Sequence, residues 1–386
     1  MDKNALGNPC EKHSPFPQFV GECKRVKLNE ICSKGKSSLR QKDVTNDGPY
    51  SVYGASGVVG TTSDYQNEIP YVAVIKDGAG VGRASACEPM TSVLGTMQAL
   101  IPNPNVERDY LLYLVRSLRL DEGFSGSTIP HIYFKDYGKI EVPLPSLEAQ
   151  KRIVSQLGLI EAQIEQAEAQ ITQLDQLVKS RFVEMFGEAE KPRKDFPIKA
   201  LNDVCSSIVR GPFGSAMKKE FFVPQGANTY KVYEQKHAIQ KRADIGTYYI
   251  TRDRFETLKR FECFPGDILM SCSGTMGEFY QLPPSCEPGV MNQALCKFTL
   301  SETILSDYFL GFMEQVVDEL GAKGSGIKNV SSVKYIKAIR IPLPPLELQR
   351  QFADFVTQVD KLRFEAQQQI EKLETLKKSL MQEYFG

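Results

Sequence analysis

Pro143-Leu144-Pro145-Ser146-Leu147-Glu148-Ala149-Gln150 opens a long run that ends at Phe186-Gly187. The same passage returns as Pro342-Leu343-Pro344-Pro345-Leu346-Glu347-Leu348-Gln349 and runs to Phe385-Gly386. A shift of 199 residues aligns the two copies over 45 positions without a gap, and sixteen of these positions are identical. The duplication predicts two similar halves, in which residues 1–142 precede a first helical segment, 143–187, and residues 188–341 precede a second, 342–386.

Each copy predicts a long helix that begins after a rigid proline turn. Proline fixes φ and biases the residue before it to extended backbone, so the first helix has to start beyond Pro145. From Ile153 onward the apolar residues are spaced alternately by four and three, which is typical of the seam of a coiled coil. The seam consists of Ile153, Leu157, Ile160, Ile164, Ala167, Ile171, Leu174 and Val178.

The second copy carries a less regular seam. Its apolar positions are Phe352, Val356, Val359, Ala366, Ile370, Leu373 and Leu380. Arg363 and Lys377 stand where the first copy has Ile164 and Val178, which leaves the tightness of packing there open. The irregularity favours asymmetric pairing of the second helix with the first within one chain over self-association of identical helices.

The segments ahead of the helices have the pattern of α+β domains. Short apolar runs at Tyr50–Tyr53, Tyr71–Ile75 and 92–100 predict strands, and the glycines that follow them indicate turns. A helical pattern at Tyr110–Leu120 is answered by Tyr308–Leu320 in the second half. We therefore expect two similar α+β domains, each followed by one of the long helices.

Composition excludes several classes of protein. Lys and Arg together number 47, as do Asp and Glu, so net charge gives no argument for binding nucleic acid. Nine scattered cysteines and three histidines lack the spacing of a zinc site, so we expect no metal. The sequence begins without the apolar segment of a secretory signal, and no apolar run is long enough to span a bilayer, so we expect a cytoplasmic protein with no membrane partner.

No motif supports catalysis. Gly35-Lys36-Ser37 resembles the end of a phosphate-binding loop, but Glu30 stands where the first glycine is required. The glycines of Asp77-Gly78-Ala79-Gly80-Val81-Gly82 are spaced as in a turn and not as in a dinucleotide-binding loop. We expect no catalytic residues in this chain.

What remains is a set of polar, basic and aromatic residues on glycine-rich loops of both halves. Lys and Arg neutralise phosphates, and Arg, Asn, Ser and Gln read base edges, so these residues are candidate DNA contacts. Each of them taken alone is more often an ordinary solvated residue, and only the grouping favours binding. The candidates are Lys34, Lys36, Ser37, Arg40, Tyr53, Ser56, Arg83, Arg210, Ser215, Lys218, Lys219, Lys231, Tyr233, Ser273, Lys323, Ser325, Lys328 and Asn329.

The repeated Pro-Leu-Pro-x-Leu-Glu-x-Gln motif, the helix that ends in Phe-Gly and the variable segment before each copy together resemble the specificity subunit of type I restriction–modification systems. The resemblance implies two α+β target-recognition domains, related by a pseudo-two-fold axis and separated by two long helices that form an antiparallel coiled coil. This arrangement would bring the chain end at Phe385-Gly386 beside the amino-terminal domain. The resemblance implies further that each variable domain reads one half of a split target in double-stranded DNA. It also implies that the helices set the gap between the halves and that two methylation subunits dock on the chain. S-adenosylmethionine would bind to those subunits and ATP with magnesium to the restriction subunits, so this chain itself would need no cofactor.

Other interpretations keep part of this pattern. The main alternative is a specificity subunit of a fused type IIB-like enzyme, or of an orphan methylation system without restriction. A coiled-coil scaffold that binds protein and not DNA is a second alternative, and it predicts no change in DNA methylation when the chain is deleted. A third, an enzyme acting on nucleic acid, requires acidic or metal-binding clusters, and the sequence shows none.

Overall fold

The computed structural model describes residues 23–122, 130–193, 195–212, 214–322 and 333–386. The chain divides into two compact units. The first unit comprises residues 1–169 and 367–386, and the second unit comprises residues 170–366. Each unit thus contains an α+β domain together with part of both long helices, which confirms the predicted fold class.

The first unit is built on two small sheets and a two-stranded ribbon. Its strands are β1 (Lys24–Lys27), β2 (Cys32–Lys34), β3 (Tyr50–Gly54), β4 (Gly57–Thr62), β5 (Tyr71–Ile75), β6 (Ala84–Cys87), β7 (Ser92–Val93), β8 (Met97–Pro102) and β9 (Glu141–Leu144). Its helices are α1 (Leu28–Ile31), α2 (Arg108–Ser117), α3 (Phe134–Tyr137) and the first part of α4 (Leu147–Phe186). The antiparallel sheet has the order β2-β8-β5-β6, the second sheet has the order β4-β3-β7, and β1 pairs with β9.

The second unit repeats this plan. Its strands are β10 (Ile198–Ala200), β11 (Cys205–Arg210), β12 (Thr229–Tyr233), β13 (Tyr249–Thr251), β14 (Glu262–Cys263), β15 (Ile268–Ser271), β16 (Phe279–Gln281), β17 (Gly289–Met291), β18 (Leu295–Leu300) and β19 (Arg340–Pro342). Its helices are α5 (Leu201–Val204), α6 (Gln235–Ile239), α7 (Arg252–Thr257), α8 (Ser306–Ala322), α9 (Val333–Ala338) and the first part of α10 (Leu346–Phe385). The sheet orders are β11-β18-β15-β16 and β13-β12-β17-β14, and β10 pairs with β19.

The equivalence of the two plans extends to strand direction. The second sheet of each unit contains one parallel pair, β3 with β7 in the first unit and β12 with β17 in the second. Two neighbouring parallel strands require a long connection between them. In both units this connection contains further strands of the same domain. The duplication seen in the helices is therefore a duplication of whole domains.

The two long helices run antiparallel. In the first unit Tyr384 donates a hydrogen bond to Gln156 (Oη to Oε1, 2.5 Å), and in the second unit the rings of Phe182 and Phe352 lie 5.4 Å apart. Low numbers in one helix thus meet high numbers in the other, which confirms the predicted pairing. Each helix has 40 residues and is therefore about 60 Å long.

A buried glutamine ties the start of each long helix to its domain. Gln150 accepts a hydrogen bond from the Glu107 amide (2.9 Å) at the start of α2, and its side-chain amide donates to Asn105 O (3.1 Å) and Pro145 O (2.9 Å). Glu107 in turn caps α2, since its carboxylate accepts from the amides of Asp109 and Tyr110. Gln150 is fully buried, so these bonds have no competition from water.

Gln349 repeats the arrangement in the second unit. It accepts from the Leu305 amide (2.8 Å) before α8 and donates to Thr303 O (3.2 Å) and Pro344 O (2.9 Å). The tyrosines of the two domain helices also correspond, because Tyr110 donates to Pro143 O (2.9 Å) and Tyr308 to Pro342 O (2.5 Å). The glutamine of the repeated motif therefore has a structural role.

The last residues of the chain complete the core of the first unit. Phe385 is buried, and its ring lies 5.4 Å from that of Tyr110. This confirms the prediction that the carboxy-terminal end lies beside the amino-terminal domain. Phe186 is the counterpart in the second unit, 4.7 Å from Tyr308.

Candidate nucleic-acid interface

Three loops meet at one end of the β2-β8-β5-β6 sheet in the first unit. The Lys76 amide donates to Thr96 O (3.0 Å), which joins the turn after β5 to the turn before β8. The Gly95 amide donates to Leu39 O (2.7 Å), which adds the segment after β2. Loops gathered on a rigid sheet are the usual place for binding residues, so this end of the sheet is the candidate interface of the first unit.

The loop after β2 is held by two polar side chains. Asn67 is buried and both accepts from the Lys36 amide and donates to Lys36 O, each at 3.0 Å. The Ser37 hydroxyl accepts from the Ala99 amide (2.9 Å), so this candidate has a structural contact in the loop. The side chain of Lys36 itself remains exposed.

The other candidates of the first unit occupy the same loops or a neighbouring hairpin. Lys34, Arg40 and Arg83 are exposed, and Lys34 Nζ lies 5.9 Å from the centre of the Phe134 ring. Ser56 is exposed in the turn between β3 and β4, whereas Tyr53 in β3 is half-buried.

The second unit presents the equivalent sheet end. There β11 ends at Arg210 and β15 ends at Ser271. Arg210 is half-buried, its Nη2 donates to Cys272 O (3.3 Å), and burial lowers its pKa below the usual value. Ser273, in the turn after β15, is exposed, as are Ser215, Lys218 and Lys219.

Lys231 and Tyr233 are placed in the interior, which corrects their prediction as surface DNA contacts. Their side chains are almost fully buried. Lys231 Nζ pairs with Glu287 Oε1 (2.7 Å) and lies 5.7 Å from the centre of the Tyr249 ring, and the Tyr233 hydroxyl donates to Glu287 O (2.6 Å). Both side chains therefore stabilise the β13-β12-β17-β14 sheet.

Four candidates, Lys323, Ser325, Lys328 and Asn329, lie outside the described residues.

The sequence analysis missed polar side chains that hold the loops in place. Gln66 donates to the Ser38 hydroxyl (Nε2 to Oγ, 2.7 Å), and Gln235 donates to Thr275 O (3.3 Å). Lys241 donates to Phe279 O (2.5 Å) and pairs with Glu278 (3.0 Å). The position of Gln235, two residues after the end of β12, indicates a loop residue from the sequence alone. Its contact with Thr275, forty residues later, is not visible in the sequence.

The predicted helix-pairing residues divide into two groups by burial. Ile153, Leu157, Ile160, Leu174, Phe352, Val359, Ile370 and Leu380 are buried, and Ile164, Ile171, Val356 and Leu373 are partly exposed. Several of these side chains also contact the α+β domain of their own unit, and Ile153, Leu157 and Leu380 join the core of the first unit. The helices therefore belong to the cores of the domains as well as to the seam.

The two charged seam positions find acidic partners on the opposite helix. Lys377 pairs with Glu161 (2.6 Å) in the first unit, and Arg363 pairs with Asp175 (2.6 Å) in the second. Burial opposes ionisation of Glu161, but hydrogen bonds from Lys377 and Tyr113 outweigh it, and the pKa of the carboxyl group lies below its usual value. The seam is thus closed at these positions by ion pairs.

Neither a metal cluster nor a membrane helix is found in the described ranges. No group of three or more His, Cys, Asp or Glu residues among them is arranged to hold a metal ion. Within the same residues, no helix combines the length and the apolar character needed to cross a membrane.

Comparison with known proteins agrees with this architecture. The family model for the type I restriction modification DNA specificity domain matches twice, at residues 21–176 and 193–375. The MjaVIII specificity subunit of a type I restriction enzyme from Methanocaldococcus jannaschii is 24% identical over 295 residues, which cover 70% of this chain and 68% of the relative. The EcoDI specificity subunit from Escherichia coli is 26% identical over 159 residues, 40% of this chain and 35% of that protein.

Solved structures show the same fold at low sequence identity. The S subunit of a type I restriction–modification system from M. genitalium superposes with a TM-score of 0.53 at 15% identity, and covers 95% of this chain and 96% of its own. A chain from a study of complex assembly in the type I system gives a TM-score of 0.58 at 17% identity, over 94% and 97% of the two chains. The two matches to the family model cover most of this chain, so the chain belongs to the DNA specificity subunits of type I restriction–modification systems.

Proposed function

We propose that each unit reads one half of a bipartite target in double-stranded DNA, and that the paired helices set the distance between the halves. The observation that carries the proposal is the repetition of one domain plan with different loops. The sheet orders of the two units correspond except for the additional edge strand β14, whereas the candidate residues on their loops differ. Equivalent scaffolds with different loops suit two different half-sites on one duplex.

The chain acts in this proposal as a non-catalytic subunit. Two methylation subunits dock on it and bind S-adenosylmethionine, and restriction subunits that use ATP join through the complex. The net charge of zero supports a requirement for partners, because phosphate attraction is the main source of affinity in isolated DNA-binding domains. We expect the purified chain to bind its target weakly in a salt-titrated shift assay and the assembled complex to bind it tightly.

Methylation mapping tests the proposal. Single-molecule sequencing of DNA from a strain with and without this chain should reveal one bipartite methylated motif that depends on it. Insertion of four residues after Ala167 in α4 should change the spacer of the motif and leave both half-sites unaltered, since ~1.5 Å per residue is added to one helix. The exposed Gln163→Ala on the same helix is the matched control and should preserve the motif.

Two outcomes would count against the proposal. Methylation that does not change on deletion would favour a scaffold without a role in DNA recognition. A spacer that stays constant in the insertion variant, while methylation continues, would remove the role of the helices as a ruler and leave the role of the two units intact.

A further inference from the structure

The cations at the two candidate interfaces differ in their partners. In the first unit, Lys36, Arg40 and Arg83 are exposed, and within the described residues none has a carboxylate oxygen at ion-pair distance. All three lie on loops at the same sheet end, because the Gly95 amide binds Leu39 O and the Ile75 amide binds Arg83 O (2.9 Å). This sheet end therefore presents three cationic side chains without an ion-pair partner among those residues.

Three acidic residues on the loops around these cations are engaged in other contacts. Asp43 accepts from the backbone amide of Arg40 (2.8 Å), and Asp64 accepts from the amide of Tyr65 (2.8 Å). Asp77 contacts His131 Nδ1 (2.7 Å). A carboxylate that accepts from the backbone stays in its own turn, so the neighbouring guanidinium and ammonium groups remain available to another anion.

In the second unit most of the described exposed cations near the candidate interface are paired: Lys218 pairs with Glu220 (3.6 Å), and Lys219 is the exception without a carboxylate at ion-pair distance among the described residues. After β12, Lys236 pairs with Glu234 (2.7 Å), Lys241 with Glu278 (3.0 Å) and Arg242 with Asp244 (2.6 Å). A phosphate that approaches one of these cations also meets its carboxylate. The local charge of each pair is zero, so contact with DNA releases no counterion.

We propose that the first unit supplies most of the phosphate attraction between this chain and DNA, through Lys36, Arg40 and Arg83, and that the second unit contributes chiefly by shape and base contacts. The inference rests on the proposed function and adds a division of labour to it. Binding of the first half-site then dominates the salt dependence of the whole complex. The second half-site is recognised by a surface that has little affinity for DNA of other sequences.

A matched pair of triple variants tests this division. One carries Lys36→Gln, Arg40→Gln and Arg83→Gln, and the other carries Lys236→Gln, Lys241→Gln and Arg242→Gln. Both lower the net charge by three, so an effect of total charge alone predicts the same result for the two. The variants are assembled with the methylation subunits, their folding is checked by thermal melting, and binding to the methylated motif is titrated with salt.

For the first-unit variant, we expect the slope of log affinity against log salt concentration to decrease in magnitude by about 2.7, since each phosphate contact contributes about 0.9 to the slope. Its affinity at 0.1 M salt should fall about eightfold for each lost contact. The second-unit variant should change the slope by less than about 1. Equal changes in slope, or a larger change for the second-unit variant, would overturn the division of labour.

The failure of the proposed function gives a different result. A wild-type complex that binds the bipartite duplex no better than unrelated DNA would refute DNA reading itself, and the division of labour with it. Specific binding by the wild type, combined with equal slopes for both variants, would refute only the asymmetry.

Discussion

The two units join their long helices in the same way but stabilise their sheets differently. Gln150 and Gln349 make the same three hydrogen bonds, and Tyr110 and Tyr308 bind the same proline carbonyl of the motif. The sheets differ at matching positions of register. Ala73 pairs with Ala99 in the first unit, whereas Leu269 pairs with Lys297 in the second.

The side chain of Lys297 is almost completely buried in the second sheet. It pairs with Asp267 (3.0 Å), donates to Glu262 O (2.6 Å) and lies 5.2 Å from the centre of the Phe264 ring. The position equivalent to Asp267 in the first unit is Tyr71, whose hydroxyl contacts Thr91 (3.0 Å). The comparison shows that this fold accommodates either an ion pair or uncharged side chains inside the sheet, whereas the contacts at the start of the long helix are the same in both units.

Lys297→Met should have the largest effect, a loss of about 3–5 kcal/mol in the free energy of unfolding of the second unit, because it leaves the Asp267 carboxylate buried without its cation. Hydrogen exchange of the sheet amides, followed separately for each unit, measures the effect. The first unit should keep its protection.

Two variants control for this prediction. Lys297→Met combined with Asp267→Leu removes both charges and should recover most of the lost stability. Tyr71→Phe in the first unit removes one hydrogen bond and should cost about 1 kcal/mol. If Tyr71→Phe and Lys297→Met prove equally costly, the sheet interiors do not differ in the way that the contacts indicate.

Gln150→Ala and Gln349→Ala should each cost about 2–3 kcal/mol, because each leaves buried backbone groups without partners at the start of the long helix and of the domain helix. The two losses should agree closely, since the contacts correspond. Chemical denaturation of each variant, with exchange to assign the unit, measures both.

Gln163→Ala is the matched control, since Gln163 is exposed on α4 and its loss should stay within about 0.5 kcal/mol. A loss for Gln150→Ala as small as that of the control would mean that its three bonds are replaced by water. Unequal losses for the two motif glutamines would show that the junctions are similar in geometry but not in energy.

Gly311→Ala should cost about 1–2 kcal/mol in the second unit alone, because an added Cβ would lie 2.5 Å from Cδ2 of Phe182 and the crowding exceeds the gain in helix propensity. The first unit has Tyr113 and Met381 at the corresponding positions. Thermal melting measures the loss. Gly311→Ala with Phe182→Leu should restore part of the stability, and no recovery would place the strain elsewhere.

The sequence pattern was sufficient for the helices and the doubling but not for contacts between distant segments. The seam from Ile153 to Leu174 and the proline turn at Pro145 locate α4 from local rules. The 92–100 run was expected to form one strand, but it is divided at Leu94-Gly95-Thr96 because β7 pairs with β3 in one sheet and β8 with β2 and β5 in the other. Such a division depends on partners far away in the chain.

The candidate site was predictable in its location and only partly in its residues. Glycine turns after strands identified the loops that hold Lys36, Arg83 and Ser273. Lys231 had the sequence context of a surface lysine, and its burial depends on Glu287, which lies 56 residues later. Lys377 and Arg363 interrupted a heptad in one helix, and their acidic partners are in the other.

These seam pairs give the smallest predicted effect. Lys377→Met should lower stability by about 1 kcal/mol at pH 7, because Glu161 keeps Arg116 and Tyr113 as partners, and Arg363→Met should cost less than about 0.5 kcal/mol because its pair with Asp175 is more exposed. The pKa of Glu161 is lowered in the folded chain, so its contribution is complete above the unfolded pKa of about 4.3 and disappears as the pH falls through the folded value. Urea denaturation at pH 7 and near pH 3 should therefore show a difference between wild type and Lys377→Met that shrinks in acid. A difference of the same size at both values would mean that Lys377 stabilises the helix pair by packing of its methylenes and not by its charge.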